Sequence, residues 1–170
     1  MLLPVGTEDF ARVIDRKLDF VDKSLFIKDI FDDKTTDVLV FTRPRRFGKT
    51  FNLSMLRYFL SEKVGDRITK DLFDNLKIAK CNNEYLKHQG KYPVVSITFK
   101  DATQTNFADT YMKLYEIMAA AYDQHNYLAE SDKLSENQKY LYEIIIKRTA
   151  NRNQLENALN VLTGCLYAYH

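Results

Sequence analysis

The feature that most constrains the fold is a short apolar run followed by a basic loop and an amphipathic segment. Residues 38–41, Val-Leu-Val-Phe, form a continuous β-favouring run, which is typical of a strand buried on both faces in a parallel sheet. Residues 42–48 indicate a short basic loop. From Lys49 to Ser61 the apolar residues recur at helical spacing and predict a helix. Its apolar side is expected to carry Leu53, Leu56, Phe59 and Leu60.

Two further regions of the first half carry recognisable elements. Ser24 precedes a short apolar-periodic segment and is a plausible helix N-cap. Residues 94–99 form a second strand candidate, with Pro93 at its start, where a missing backbone donor does least harm. The chain between the two strands is long enough for a right-handed helical crossover. Within residues 62–92 we expect helical pieces, with one apolar stripe made of Leu72, Phe73 and Leu76.

The last third of the chain is predicted to be helical. Asn106 can cap a first helix, and a second is expected from near Ser135 to Lys147. Asn153 with Glu156 three residues later resembles a capping box that opens a third helix. The inward residues of the first helix are expected to be Phe107, Tyr111, Leu114, Tyr115, Met118 and Tyr122, and those of the third Leu155, Leu159, Leu162 and Leu166.

Composition excludes several classes of protein. The 170 residues carry 25 Lys and Arg against 23 Asp and Glu, for a net charge of +2. This near-balance argues against a strongly basic nucleic-acid-coating protein. The two cysteines are too few for a disulfide scaffold and lack metal-ligand spacing, and the three histidines are expected at the surface. Without a long apolar stretch or a signal-like N-terminus, the expected location is the cytoplasm, with no membrane partner.

The loop that ends in Gly48-Lys49-Thr50 carries the chemical signal. From position 43 it matches the phosphate-loop pattern G-x-x-x-x-G-K-[ST] everywhere except the first glycine, which is Arg43. Gly48 lets the backbone approach phosphate oxygens, and helix N-terminal amides donate to them. Lys49 places an ammonium near the β- and γ-phosphates, and the Thr50 hydroxyl is suited to ligate Mg²⁺.

The missing first glycine alters the predicted path of this loop. Pro44 pushes Arg43 toward extended geometry, so the chain is expected to leave the strand extended and to turn later. Arg45 and Arg46 are then positioned to add positive charge at the mouth of a phosphate site. The alternative is an ordinary basic surface turn.

Four blocks of the chain resemble the bacterial predicted AAA-ATPase-like family, and R-P-R-R-F-G-K-[ST] is highly specific to it. Full-length members usually carry a C-terminal PD-(D/E)xK nuclease-like domain. The resemblance spans nearly the whole chain, and the missing first glycine is a trait of the family. The first matching block comprises residues 3–6, 9–10 and 20–27. The second is the loop, residues 43–50, with its continuation through residues 51–56. The third comprises residues 72–73 and 76–78, and the fourth residues 92–95 and 99–101.

The resemblance implies an α/β, three-layer P-loop NTPase fold, here incomplete, with parallel strands and a helix-rich C-terminal half. It also implies ATP and Mg²⁺ as ligands, with Thr50 toward the metal. Asp22, Lys23 and Phe26 become candidates for a wall that seats adenine, with a capped helix on the core as the alternative. The residues expected to contact the cofactor are Arg45, Arg46, Phe47, Gly48, Lys49, Thr50 and Phe51.

The sequence lacks the acidic residues that hydrolysis requires. In the family they follow an apolar strand ending Asp-Glu-Tyr-Asp, and residues 1–170 contain no such pattern. Asp101, after the second strand candidate, is the nearest substitute. Residues 1–170 are therefore expected to be the N-terminal part of a single P-loop domain, truncated before its Walker B strand, and the catalytic residues stay unknown.

Three functions remain open at this point. The first is an ATP-Mg binding domain whose hydrolysis requires a longer parent protein. The second is a module that holds nucleotide or phosphate without turnover. The third is a nucleic-acid-associated protein, either through the basic loop or through the parent's nuclease-like domain. The near-neutral charge disfavours the basic loop as a stand-alone nucleic-acid site.

Overall fold

The structure is a computed structural model that describes residues 6–42, 44, 46–81, 83–100 and 102–170. It is rich in helices, as predicted for the C-terminal half, and the described residues form one small antiparallel sheet. The chain divides into two compact units, Met1–Val94 and Val95–His170. Each unit has its own hydrophobic core.

The first unit is built from short helices around an aromatic core. Phe73 stacks on Phe10 with ring centroids 5.0 Å apart and meets Phe59 edge-on at 5.1 Å. Arg67 joins Asp15 and Asp71 at 3.0 and 2.7 Å near the surface. The elements are α1 (Phe10–Asp15), α2 (Leu25–Asp32), α3 (Lys49–Leu60), β1 (Lys63–Val64) paired with β2 (Arg67–Ile68), 3-10 turns at Lys70–Phe73 and Lys77–Lys80, and α4 (Asn83–Leu86).

The helix predicted after the loop is present as α3, and its predicted apolar side packs against the first core except at Leu53. Leu53 is 53% exposed, whereas Met55, Tyr58 and Phe59 are buried. The backbone N–H of Phe10 donates to Ser54 Oγ at 3.0 Å, which ties α1 to α3. Where α1 packs decides which of these positions is buried, and helical spacing alone does not specify that.

The two predicted strands are not paired as strands within the described residues. Val38 and Val40 are 74% and 75% exposed, and no backbone hydrogen bond holds residues 38–41 to another segment of the described chain. In residues 94–99, Val95 and Ile97 pack against the second core, yet the segment joins no ladder. A β-strand requires a neighbouring strand with which it exchanges backbone hydrogen bonds. An apolar pattern alone therefore does not produce a paired strand.

The second unit is a cluster of helices that follows the predicted order. Asn106 caps the first of them, because its side chain accepts from the backbone N–H of Asp109 at 2.9 Å. Ser135 and Gln138 form a capping box on the second. None of the described helices combines the length and apolarity needed to cross a membrane. The elements are α5 (Phe107–Asp123), a 3-10 turn at Asn126–Leu128, α6 (Glu136–Ile146), α7 (Arg152–Glu156) and α8 (Ala158–Tyr169).

The third predicted helix begins earlier than expected and is broken in two. Its capping box is Asn151 with Gln154, rather than Asn153 with Glu156. The break at Asn157 separates α7 from α8. Two capping patterns overlap in this stretch, and the backbone takes the one whose side chains both reach the free N–H groups.

The core of the second unit uses tyrosines as predicted, with three departures. Tyr115 and Tyr122 are buried, and the Tyr122 hydroxyl donates to the carbonyl of Ala158 at 2.7 Å. Burial raises the pKa of the Tyr122 hydroxyl. The departures are Phe107, which is 74% exposed, Leu159, which is 43% exposed, and His125, which is buried beside the Tyr127 hydroxyl and not at the surface.

Candidate functional site

The basic loop leads directly into α3, and Gly48 makes the turn. Gly48 is the N-cap residue of α3 with φ 74° and ψ 25°, a left-handed conformation that favours glycine. A Cβ built at this position would meet nothing within 4 Å. The backbone at Gly48 is therefore open to close approach by a ligand. Its carbonyl accepts from the N–H of Asn52 at 2.9 Å and so begins the helical hydrogen bonds.

The turn contains a second left-handed residue, Arg46, with φ 68°. Phe47, between the two, does not have a positive φ, and Lys49 begins the helix. The sign of φ therefore alternates along residues 46–48. Alternation of φ is the usual basis of a nest, a concave set of backbone N–H groups that suits an anion. The prediction that Arg43 leaves the strand extended falls on a residue outside the described chain.

Lys49 lies back along the loop that precedes it. Its Nζ donates to the carbonyl of Pro44 at 3.1 Å, and the side chain is half-buried. Thr50 is exposed at the first turn of α3. Lys49 and Thr50 are thus the first two residues of α3, at its N-terminal end.

The two aromatic residues of the predicted site have different surroundings. Phe47 is 54% exposed at the tip of the loop. Phe51 points into the first core, where its ring meets Phe10 and Phe20 edge-on at 5.8 and 5.7 Å. Phe51 therefore anchors the start of α3 in the first core. Arg43, Arg45 and Asp101, also named from the sequence, lie outside the described residues.

Asp22 and Ser24 connect the segment before α2 to the 3-10 turn at Lys77–Lys80. The Asp22 carboxylate accepts from the backbone N–H groups of Ser24 and Lys77, each at 2.8 Å. Ser24 is fully buried, and its Oγ accepts from the N–H of Ile78 at 3.0 Å rather than capping α2. We call these contacts the Asp22–Ser24 clasp.

The clasp favours the structural alternative for the residues considered as an adenine wall. Burial raises the pKa of Asp22, but the hydrogen bonds from Ser24 and Lys77 outweigh it, so that the pKa lies below its usual value. Phe26 is partly buried against the first core, and its ring meets Phe41 edge-on at 6.2 Å. Lys23 is exposed. The sequence signal that was available for the clasp is the Asp-x-Ser pattern before α2.

A comparison with known protein families assigns the chain. The profile of the family described as Predicted AAA-ATPase matches residues 4–162. The chain belongs to this AAA-ATPase-like family. No curated protein and no solved structure matched the chain. Membership in the AAA-ATPase-like family suggests nucleotide binding and an α/β fold.

Proposed function

We propose that the loop ending at Thr50 is a P-loop that binds the phosphate chain of ATP together with Mg²⁺. The observation that carries the proposal is the alternating sign of φ from Arg46 to Gly48, directly before α3. Backbone N–H groups arranged in this way, next to the positive end of a helix dipole, favour a phosphate. The family membership supports a nucleotide as the source of that phosphate.

Each residue of the loop has a proposed task. The open backbone at Gly48 receives phosphate oxygens, and the ammonium of Lys49 leaves the carbonyl of Pro44 to contact them. Thr50 supplies a hydroxyl for Mg²⁺, which when bound neutralises charge on the phosphates. The remaining proposed contacts come from Arg45, Arg46, Phe47 and the backbone of Phe51. The donor set fits a Mg-nucleotide, because it offers cationic and N–H donors to phosphate and an oxygen to the metal.

We also propose that this loop belongs to a three-layer P-loop fold. In that fold residues 38–41 and 94–99 are parallel strands of one sheet, and residues 1–170 are the N-terminal part of the domain. The exposed apolar side chains of residues 38–41 support this, because in a parallel sheet the helices that cover both faces bury such side chains.

Binding and hydrolysis are separable in this proposal. Residues 1–170 contain no apolar strand ending in paired acidic residues, which position Mg²⁺ and the attacking water in P-loop ATPases. We therefore expect residues 1–170 to bind ATP-Mg without turnover. Hydrolysis is proposed for a longer parent protein that supplies those acids.

Titration calorimetry with ATP, with and without Mg²⁺, tests the proposal. Lys49→Ala should abolish measurable binding, because the ammonium neutralises charge on the phosphates. Thr50→Ala should retain binding but remove most of the gain from Mg²⁺. Lys63→Ala is the matched control, since it removes an exposed lysine from the same unit away from the loop, and it should bind ATP as the parent does.

Other results would favour the alternatives. Unchanged ATP affinity in Lys49→Ala would reject the loop as the nucleotide site. Phosphate release by residues 1–170 would contradict the separation of binding from hydrolysis. Salt-sensitive DNA binding that survives Lys49→Ala would favour a nucleic-acid role.

A further inference from the structure

Two aromatic rings on the first unit lie side by side and form one flat surface. Nδ1 of His88 and the hydroxyl of Tyr92 are joined by a hydrogen bond, and the two ring planes are 19° apart with their centroids separated by 5.8 Å. Because a ring nitrogen makes its hydrogen bond in the plane of the ring, this bond places the two nearly parallel rings edge to edge. We call these two side chains the His88–Tyr92 platform.

One face of the His88–Tyr92 platform packs on Phe31, which connects it to the first core. The rings of Phe31 and His88 have centroids 4.2 Å apart and planes 17° apart, and Phe31 meets the buried Phe59 at 6.4 Å. No ring besides Phe31 lies against the platform within the described chain. Tyr92 nevertheless stays 41% exposed. The platform therefore has a supported inner face and leaves aromatic surface open to solvent.

The backbone that carries the platform is attached to the last residues of α3. The N–H of Gly90 donates to the carbonyl of Phe59 at 2.9 Å. The N–H of Tyr92 donates to the carbonyl of Leu60 at 3.0 Å. Neither bond involves the rings, so the backbone keeps these attachments when a ring is changed. The phosphate loop precedes the other end of α3, and a helix of 12 residues is about 18 Å long, so the platform and the loop are separate places on the unit.

Positive charge accompanies the platform along the chain. Lys87 and Lys91 directly precede its two rings in sequence, and both lysines are exposed. Neither forms an ion pair within the part of the chain that the structure describes. Residues 85–99 contain these two lysines and no acidic residue, and the backbone of one acid, Glu62, lies against this segment. The segment is therefore locally basic, although the chain as a whole is nearly neutral.

We propose that the His88–Tyr92 platform stacks one base of a single-stranded nucleic acid, whose phosphates contact Lys87 and Lys91. Aromatic side chains bind the flat faces of bases whatever their identity, and a positively charged surface beside them follows the phosphate backbone. A duplex offers no such face, because its bases are paired and stacked on each other. The platform therefore favours single strands over duplexes and has no preference among bases. Its ligand does not require an occupied phosphate loop.

Fluorescence anisotropy of a labelled single-stranded DNA of about 12 nucleotides measures this binding with the whole chain. Tyr92→Ala should weaken the binding about tenfold, because one stacked base loses its ring. Tyr92→Phe retains the ring and should lose less affinity. Lys87→Ala combined with Lys91→Ala should weaken the binding and reduce its dependence on salt concentration. Tyr140→Ala is the matched control: it removes an exposed tyrosine from α6 and should bind the DNA as the unmodified protein does.

Thermal melts of the same variants separate binding from folding. Unchanged DNA affinity in a folded Tyr92→Ala protein would overturn the proposal, and so would a duplex of the same sequence that binds as tightly as the single strand. If Tyr92→Ala does not fold, the double lysine variant decides, because it leaves both rings in place. Lys49→Ala should retain the DNA binding, and its loss there would overturn the platform in favour of the phosphate loop. If the unmodified protein binds no single-stranded DNA, this proposal fails and the one for ATP is unaffected.

Discussion

Replacing Asp22 by Asn should destabilise the first unit, because the Asp22 carboxylate holds backbone N–H groups from two separate segments. Its two oxygens accept from Ser24 and Lys77, each at 2.8 Å. The amide of Asn has one acceptor oxygen, and its NH₂ group would face the other N–H donor. One charge-assisted hydrogen bond is lost and the other is weakened.

The expected size follows from the strength of such bonds. A hydrogen bond to a charged group contributes about 1.5–3 kcal/mol, and Asp22 is only half-buried, so we expect a loss of about 2 kcal/mol. In a unit of this size that loss lowers the thermal midpoint by roughly 10 °C. Asp29→Asn, which makes the same change of charge at an exposed position of α2, should alter stability by less than about 0.5 kcal/mol.

The pH dependence of the same pair of proteins provides a second measurement. Despite burial, which raises it, the folded-state pKa of the Asp22 carboxyl lies below 3.8, its ordinary value, because backbone N–H groups donate to the carboxylate. The contribution of Asp22 to the free energy of unfolding is therefore fully present above pH 3.8, and it disappears as the pH falls through the folded-state pKa. The stability difference between parent and Asp22→Asn should accordingly be constant near neutral pH and shrink in acid.

Thermal melts followed by circular dichroism measure the stability, and hydrogen exchange of the Lys77 and Ile78 amides localises the effect. Both amides should exchange faster in Asp22→Asn and at the parental rate in Asp29→Asn. An Asp22→Asn protein with parental stability and exchange but weaker ATP binding would refute the clasp. That result would return Asp22 to the nucleotide site.

Two further predictions concern the helix start and the exposed apolar run. Asn151→Ala should lower the free energy of unfolding by about 1 kcal/mol, because α7 loses its cap. Asn153→Ala should lower it by less than about 0.5 kcal/mol. Equal effects of the two changes in urea unfolding would contradict the observed capping box. Val40→Lys should reduce concentration-dependent association of the protein, measured by light scattering. Residues 38–41 have exposed apolar side chains and make no backbone hydrogen bonds to other segments of the described chain. Tyr167→Lys is the control: it replaces an exposed side chain on α8 and should leave the association unchanged. A parent protein that stays monomeric at high concentration would contradict this.

The local chemistry of the chain could be predicted wherever neighbouring residues supply it. Gly48 and Lys49 mark the start of α3, and Asn106 and Ser135 cap the helices that follow them. The backbone of this turn could not be predicted in full, because nothing in the sequence indicates a left-handed arginine at position 46. The extended geometry expected from Pro44 concerns Arg43, which lies outside the described residues.

What the sequence determined by itself is the family and most helix boundaries, since these depend on short spacings and on residues within one turn of each other. Tertiary structure decided that Leu53 of α3 is exposed, that Asp22 binds the amide of Lys77, and that His125 is buried. It also decided that residues 38–41 remain unpaired within the described chain. These outcomes depend on contacts between residues far apart in sequence, and a local pattern does not specify its partner.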